Sequence, residues 1–416
     1  MTANNKIQDN NGLLISHATD EIAAGYDAYV QEFLSYGSRL RELFSVAEKA
    51  TDCALINAHA AALHLAFEGS EGWTQAAPYL EKMNAAASHT NDRERLFCSA
   101  VNAWAARDFH EALKQLDELT VRWPADLCAL KWAQYHAFNI GDQAGLLRVG
   151  ERARIAHENQ PYAHGMVAFA LEQNHRLEEA EAEGYRAAQI AIDDAWAHHA
   201  VAHVMETQGR FNDGIKWLDH CAHTWERKGV FIRDHNWWHA ALFRLSAKKI
   251  DEAIEIFDQR LWGEWPEFPQ EQIGAVSLLW RLEMRGADVG DRWKPVVEQA
   301  RARKGEHILP FHDIHYLYAL SRAGAPNEGA EFLASIARHA DTLNGPSADD
   351  WKGACIPCAE AVHAFANDDF EAAAENFAIA EKHLQHIGGS HAQRHVFIEA
   401  HRVARSAAGG ASALEL

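Results

Sequence analysis

The sequence lacks most of the short motifs that announce a chemistry. It contains no phosphate loop ending in Gly-Lys-Ser/Thr, no Gly-x-Gly-x-x-Gly turn, no Gly-x-Ser-x-Gly elbow and no His-Glu-x-x-His helix. Its six cysteines are scattered at Cys53, Cys98, Cys128, Cys221, Cys355 and Cys358. Only the last two, in "CIPC", have a suggestive spacing. A redox pair of that kind belongs beside a βαβ unit, and a zinc site needs a second ligand pair close by; neither is visible. Buried or incidental thiols are expected.

Positive charge is also thin. There are 39 basic against 59 acidic residues, a formal net charge of -20, and no dense Lys/Arg run. That argues against a nucleic-acid partner and against an anionic membrane surface. No apolar stretch approaches the roughly 18 residues needed to span a bilayer. The opening "MTANNKIQDNNGLLISHATDE" has neither a basic n-region nor an apolar h-region, so a cytoplasmic location is expected. Period-2 alternation with Asn-Gly or Asp-Gly turns is nearly missing, so strands are not expected.

What is present is a repeat. Turn signals fall at Arg107 in "AARDFHEAL", Gly141 in "NIGDQAGLL", His175 in "QNHRLEEAE" and Gly209 in "TQGRFNDGI", each 34 residues after the last. That is the tetratricopeptide period. In three of the four a small residue follows (Ala112, Ala180, Gly214), which lets the two helices of a hairpin approach closely; the exception is Leu146. Looser units follow near Ala253, Gly324 and Ala373. The expected fold is an all-α, tetratricopeptide-like α-solenoid, a right-handed superhelix of helical hairpins. The expected organisation is a polar N-terminal segment over 1–20, one continuous repeat domain over 21–405 and a flexible tail over 406–416. Two long connections interrupt the pattern, "RLWGEWPEFPQEQIG" from Arg260 and "HADTLNGPSADDWKGACIPC" from His339. Each reads as a lid or as a packing insert.

The second feature is histidine, of which there are 26. In "DAWAHHAVAHVMETQGRF", His199, His203 and Glu206 share one helical face. "RDHNWWHAALF" places His235 and His239 at i and i+4, about one repeat later, on a helix expected to begin near His235 with Asp234 as its cap. "EHILPFHDIHYLYAL" carries His307, His312, Asp313 and His315. "IGGSHAQRHVF" carries Gly388, Gly389, Ser390, His391, Gln393 and Arg394. Histidines sharing a pocket with carboxylates suit acid–base chemistry, and a helix start near His235 would favour its neutral form. The same residue types suit a divalent metal ion. The plainer reading is a hydrogen-bonded polar seam. Trp196, Trp237, Trp238 and Trp280 are core anchors or stacking walls.

These segments resemble the tetratricopeptide repeat protein 38 family of bacteria and animals. The likeness runs collinearly from about 90 to 400, through "NDRERLFCSAVNAWAARDF", "WPADLCALKWAQYHAFNIGD", "DDAWAHHAVAHVMETQGR", "HNWWHAALF", "SLLWRLEMRG", "EHILPFHDIHYLYAL" and "IGGSHAQRHVF". "LLISHATDEIAAGYDAYVQEFL" extends it toward the N-terminus. The resemblance implies a tetratricopeptide-like fold and groups His199, His203, Glu206, His235, Asn236, Trp238, His239, Asp313, His315, Gly388, Gly389, Ser390, Gln393 and Arg394. It implies no settled reaction or cofactor. His395 stands where the family has Asp, and His312 where it has Asn.

The leading expectation is a hydrolase- or lyase-like site for a small polar metabolite inside the superhelix. His203 and His239 form its acid–base pair. Glu206 and Asp313 orient them, or complete a divalent metal site with His315. Ligand contacts come from His199, His235, Asn236, Trp238, Ser390, Gln393 and Arg394, with Arg281 as a second arginine able to hold a carboxylate. The alternative is a non-catalytic scaffold that binds a peptide or partner protein along the groove. A homodimer is the default assembly on general grounds only.

Overall fold

A computed structural model describes residues 7–409 of the chain. Helices make up most of it. Among the described residues the only extended pairings are two isolated bridges, Gln8 with Leu14 and Gly37 with Lys228. The chain is an α-solenoid of helical hairpins. Four of these carry the 34-residue register: Asp92–Ala105 with Phe109–Arg122, Leu127–Asn139 with Gln143–Ala156, Pro161–Gln173 with Leu177–Ile190, and Ala195–Thr207 with Phe211–Cys221.

The turn residues explain the register. Arg107, Gly141, His175 and Gly209 all have left-handed backbone, with φ of 64, 73, 58 and 70°. Each ends the first helix of its pair. In three of the four the same two bonds close the helix end. Asp108 N–H donates to the Ala103 carbonyl at 2.9 Å and Arg107 N–H to Trp104 at 2.8 Å. Arg176 and His175 repeat this on Leu171 and Glu172, and Arg210 and Gly209 on Met205 and Glu206. Lys248 and Asp368 close later hairpins in the same way. The repeat therefore continues where its spacing loosens. Five positions beyond the turn, Ala112 and Ala180 are fully buried. A Cβ at Gly214 would lie 2.2 Å from the Phe243 ring, so only glycine allows that approach.

Helix starts recur as well. Asp126 and Asp194, two periods apart, cap Leu127–Asn139 and Ala195–Thr207 by accepting backbone N–H bonds from Ala129 and from Trp196 and Ala197.

The described chain divides into two compact units. The first runs through Ala137, then Gln143–Val204 and His220–Arg233. The second comprises Phe138–Asp142, Met205–Asp219 and the chain from Asp234 onward. In the first, Val167, Leu171, Ala180 and Val204 form one buried cluster covered by Leu147 and Leu177. In the second, Trp280 stacks on Tyr318 at 3.9 Å and packs edge-on against Phe397.

Three local expectations change. The helix carrying His235 begins at Val230, so Asp234 and His235 lie inside it and neither sits at an N-terminus. The break falls at Gly229, whose N–H is taken by the Tyr36 carbonyl. The connection from His339 is largely helical: Glu328–Thr342 continues past His339, then Gly345–Asp349 and a π-turn, Asp350–Cys355, lead into Ile356–Ala366. Cys355 and Cys358 are both buried there, and burial pushes both thiols up. The loop after Arg260 follows another π-turn, Phe257–Leu261, and is pinned by Glu271, which accepts the Gly263 and Trp265 N–H groups at 2.7 Å each. The last helix, His391–Ala408, enters the segment expected as tail from 406; the remainder of that segment lies outside the described residues, apart from Gly409.

Candidate functional site

In the first unit, His199 and His203 are both buried, one helical turn apart. Their Nε2 atoms are 2.9 Å apart, so one ring donates and the other accepts. His203 Nδ1 faces the fully buried Glu172 carboxylate at 3.4 Å. That carboxylate favours a proton on His203 Nδ1, which leaves His203 Nε2 to accept from His199. Gln173 donates to Glu172 at 2.5 Å. Trp196 stacks on His199 at 4.5 Å and on Tyr36 at 5.3 Å. Asp194 is nearly fully buried; one oxygen caps the helix, Oδ2 has no partner, and burial raises its carboxyl to about 6.

In the second unit, His239 Nδ1 lies 3.1 Å from Glu206 Oε2. The His239 ring meets Trp238 and His235 edge-on, and His235 stacks on Trp238. Asn236 is fully buried on the same helix. The Arg281 guanidinium lies 5.3 Å from the Trp238 ring. It donates to Ser277 Oγ, and to the carbonyls of Ala392 at 2.8 Å and Gln393 at 3.4 Å. Burial pulls it down to about 10, opposed by Glu399 and Glu206. Arg281 is therefore already committed to the start of the last helix.

His315 is fully buried. Its Nδ1–H donates to the Phe311 carbonyl at 2.7 Å, which leaves Nε2 as a bare acceptor without a partner. Burial lowers it to about 3, so it is neutral. Asp313, two residues earlier, points elsewhere: its Oδ2 takes the His307 Nδ1–H at 2.5 Å. Two residues advance a helix by about 200°, which sets the two side chains on opposite faces. His312 Nε2 faces Gln270 at 3.5 Å, and His395 faces Glu399 at 3.5 Å.

The "GGSHAQR" segment builds a helix start. Ser390 Oγ accepts from Gln393 N–H and the Gln393 side chain accepts from Ser390 N–H, a capping box. Arg394 donates to the carbonyls of Gly388 and Gly389. A Cβ at Gly389 would come within 2.7 Å of the Phe311 ring. Local bonding thus accounts for Ser390, Gln393 and Arg394 without a ligand.

Sequence reasoning missed Glu172 and Ser335. Glu172 had a readable signal, because it lies one 34-residue period before Glu206 on the preceding first helix. Glu172 with His203 and Glu206 with His239 are then the same contact made in successive repeats. Ser335 had no signal. It lies in mid-helix, 28 residues from the His307 Nε2 that it meets at 2.9 Å.

No protein-family model matches the chain. Among solved structures, the crystal structure of yeast Tom70 is similar with a TM-score of 0.43 and 11% identity, over 92% of this chain and 88% of that one. The crystal structure of the P58(IPK) TPR domain is similar with a TM-score of 0.22 and 12% identity, over 93% and 99%. The tetratricopeptide-like architecture stated above rests on the chain's own helices and turns. No helix among the described residues is long and apolar enough to cross a membrane.

Proposed function

We propose that this chain is a partner-binding helical-repeat protein whose first unit docks an apolar segment of another protein. The observation that carries this is a row of exposed aliphatic side chains in repeat register. Val121 is 60% exposed and Ile155 is 73% exposed, 34 residues apart at the ends of successive second helices. Ile190, 48% exposed, and Ile192, 69% exposed, continue the row one repeat further, one and three residues off the register position. Single exposed aliphatics are ordinary, but exposed aliphatics that recur at the repeat period on successive hairpins are the pattern expected of a protein contact. The test is affinity capture from the source cells with wild type and with Val121→Asp/Ile155→Asp. Loss of a captured protein at an unchanged melting temperature supports the reading. An identical captured set overturns it.

A second reading, a small polar metabolite held in the second unit, is favoured by the bare Nε2 of His315. A buried acceptor without a partner costs about 1–3 kcal/mol, which a donating ligand recovers. Arg281 lies close enough to act electrostatically on His315, and Glu206, the partner of His239, on Arg281. A melting-temperature shift with small amides or alcohols, which can donate to Nε2, that is lost in His315→Phe supports this reading, and no shift with any of them removes it. We also infer membership of the tetratricopeptide repeat protein 38 family, supported by the collinear segments from about 90 to 400.

A further inference from the structure

Three residues of the second unit stand in a bonding order that neither site above uses. His307 lies in the connection ahead of helix Pro310–Ala323, with left-handed backbone at φ 46°. Its Nδ1 meets Asp313 Oδ2 at 2.5 Å and its Nε2 meets Ser335 Oγ at 2.9 Å. Asp313 is only 2% exposed, His307 is 6% exposed, and Ser335 is half-buried at the outer end. The ring stacks on Phe332 at 5.7 Å and on His339 at 4.8 Å, and meets Trp351 edge-on at 6.2 Å. Trp351 belongs to the Asp350–Cys355 π-turn, so the irregular connection serves to seat the histidine.

The hydrogen-bond directions follow from this order. An acceptor-only carboxylate at Nδ1 requires the ring proton to be there. Nε2 is then the basic nitrogen, and the serine hydroxyl donates to it. A buried acid that orients a histidine, which in turn takes the proton of an accessible hydroxyl, is the arrangement that activates a serine nucleophile. Sequence order does not argue against it, since such sets are recognised by geometry and roles.

We propose that Ser335, His307 and Asp313 form a nucleophilic relay that takes an acyl group from a carboxylic ester. Ser335 Oγ bonds to the ester carbonyl carbon while its proton moves to His307 Nε2. The carbon–oxygen bond to the leaving alcohol breaks, and that alkoxide takes the proton from Nε2. Water then attacks the acyl-serine, passing a proton to Nε2, and the carboxylic acid leaves as Ser335 recovers its proton. Asp313 keeps its place beside Nδ1 throughout and stabilises the imidazolium. This activity is independent of partner docking at Val121 and Ile155.

The test uses the full chain with a fluorophosphonate probe and p-nitrophenyl acetate. The expected result is a probe adduct on the peptide containing Ser335, absent in Ser335→Ala. Asp313→Asn should slow labelling by on the order of 10²-fold or more, since it removes the orienting carboxylate from the general base. Ser335→Ala changes one half-buried hydroxyl, so its melting curve should match wild type and keeps the comparison interpretable. Wild type left without an adduct on Ser335, or Asp313→Asn labelling at the wild-type rate, overturns the proposal; a bonded but inert serine gives one of these results.

Discussion

His59 and His307 are both buried, both have two bonded ring nitrogens, and they differ in where those bonds end. His59, in the first unit, lies between Tyr26 OH at 3.1 Å and Tyr29 OH at 3.3 Å, with Phe97 stacked on its ring at 4.2 Å. Both hydroxyls are themselves buried, and burial lowers His59 to about 3. His307 runs from a buried carboxylate to a half-buried hydroxyl. A closed set of hydrogen bonds specifies a core. A set that starts at a buried carboxylate and ends at a half-buried hydroxyl has the order that the proposed relay needs. Counting histidines or their bonds does not separate the two cases; the far end of each bond does.

The comparison breaks most easily at its closed end. His59→Ala should cost about 3–5 kcal/mol, because it opens a cavity and strands two buried hydroxyls. Urea unfolding at pH 7 measures this. A cost below about 1 kcal/mol would mean that the His59 site is not closed.

The buried histidines and the buried Asp194 of the first unit should respond to pH in opposite senses. His59 and His136 are both lowered by burial to about 3. Their stabilisation is complete above the unfolded value of about 6.5 and is lost as pH falls toward 3, at about 1.4 kcal/mol per pH unit per histidine. Asp194 is the exception, a buried carboxyl raised to about 6 with a bare Oδ2. A raised acid is stabilising below its unfolded value and loses that contribution as pH rises through about 6. Asp194→Asn keeps the capping oxygen and removes the charge. It should therefore be more stable than wild type by up to about 3 kcal/mol at pH 8, with no gain at pH 4. Unfolding curves at the two pH values check this, and an equal gain at both would assign the effect to something other than ionisation.

The smallest difference is the sharpest. Tyr29→Phe and Ser335→Ala each remove one hydroxyl from one histidine nitrogen. Tyr29→Phe leaves a fully buried nitrogen bare and should cost about 1–3 kcal/mol, whereas Ser335→Ala, at the half-buried end, should cost less than about 1 kcal/mol. Matched thermal melts decide the order; equal costs would place Ser335 in the core and remove the contrast with His59.

Much of the fold was legible because a tetratricopeptide hairpin is local. Arg107, Gly141, His175 and Gly209 could be read as turns because a left-handed residue closes each first helix within a few residues of chain. The start of Val230–Ser246 was misread because Asp234 looks like a cap and Gly229 does not, while the decisive bond comes from Tyr36, nearly two hundred residues away. The π-turns at Phe257–Leu261 and Asp350–Cys355 have no sequence signature of their own.

The site divides along the same line. The i, i+4 pairing of His199 with His203 was readable from helical spacing, and so was the place of Glu206 on that face. The capping box of Ser390 and Gln393 is an equally local pattern, although it resembled a ligand loop. By itself, then, the sequence determined the repeat, its turns and caps, and which residues share a helix face. Each of these depends on bonds that span fewer than about six residues. Only the tertiary structure decided that Glu172 completes the His203 contact, that Asp313 turns away from His315 toward His307, and that Ser335 meets His307. Those contacts join side chains from different helices, and their directions follow from how the hairpins pack.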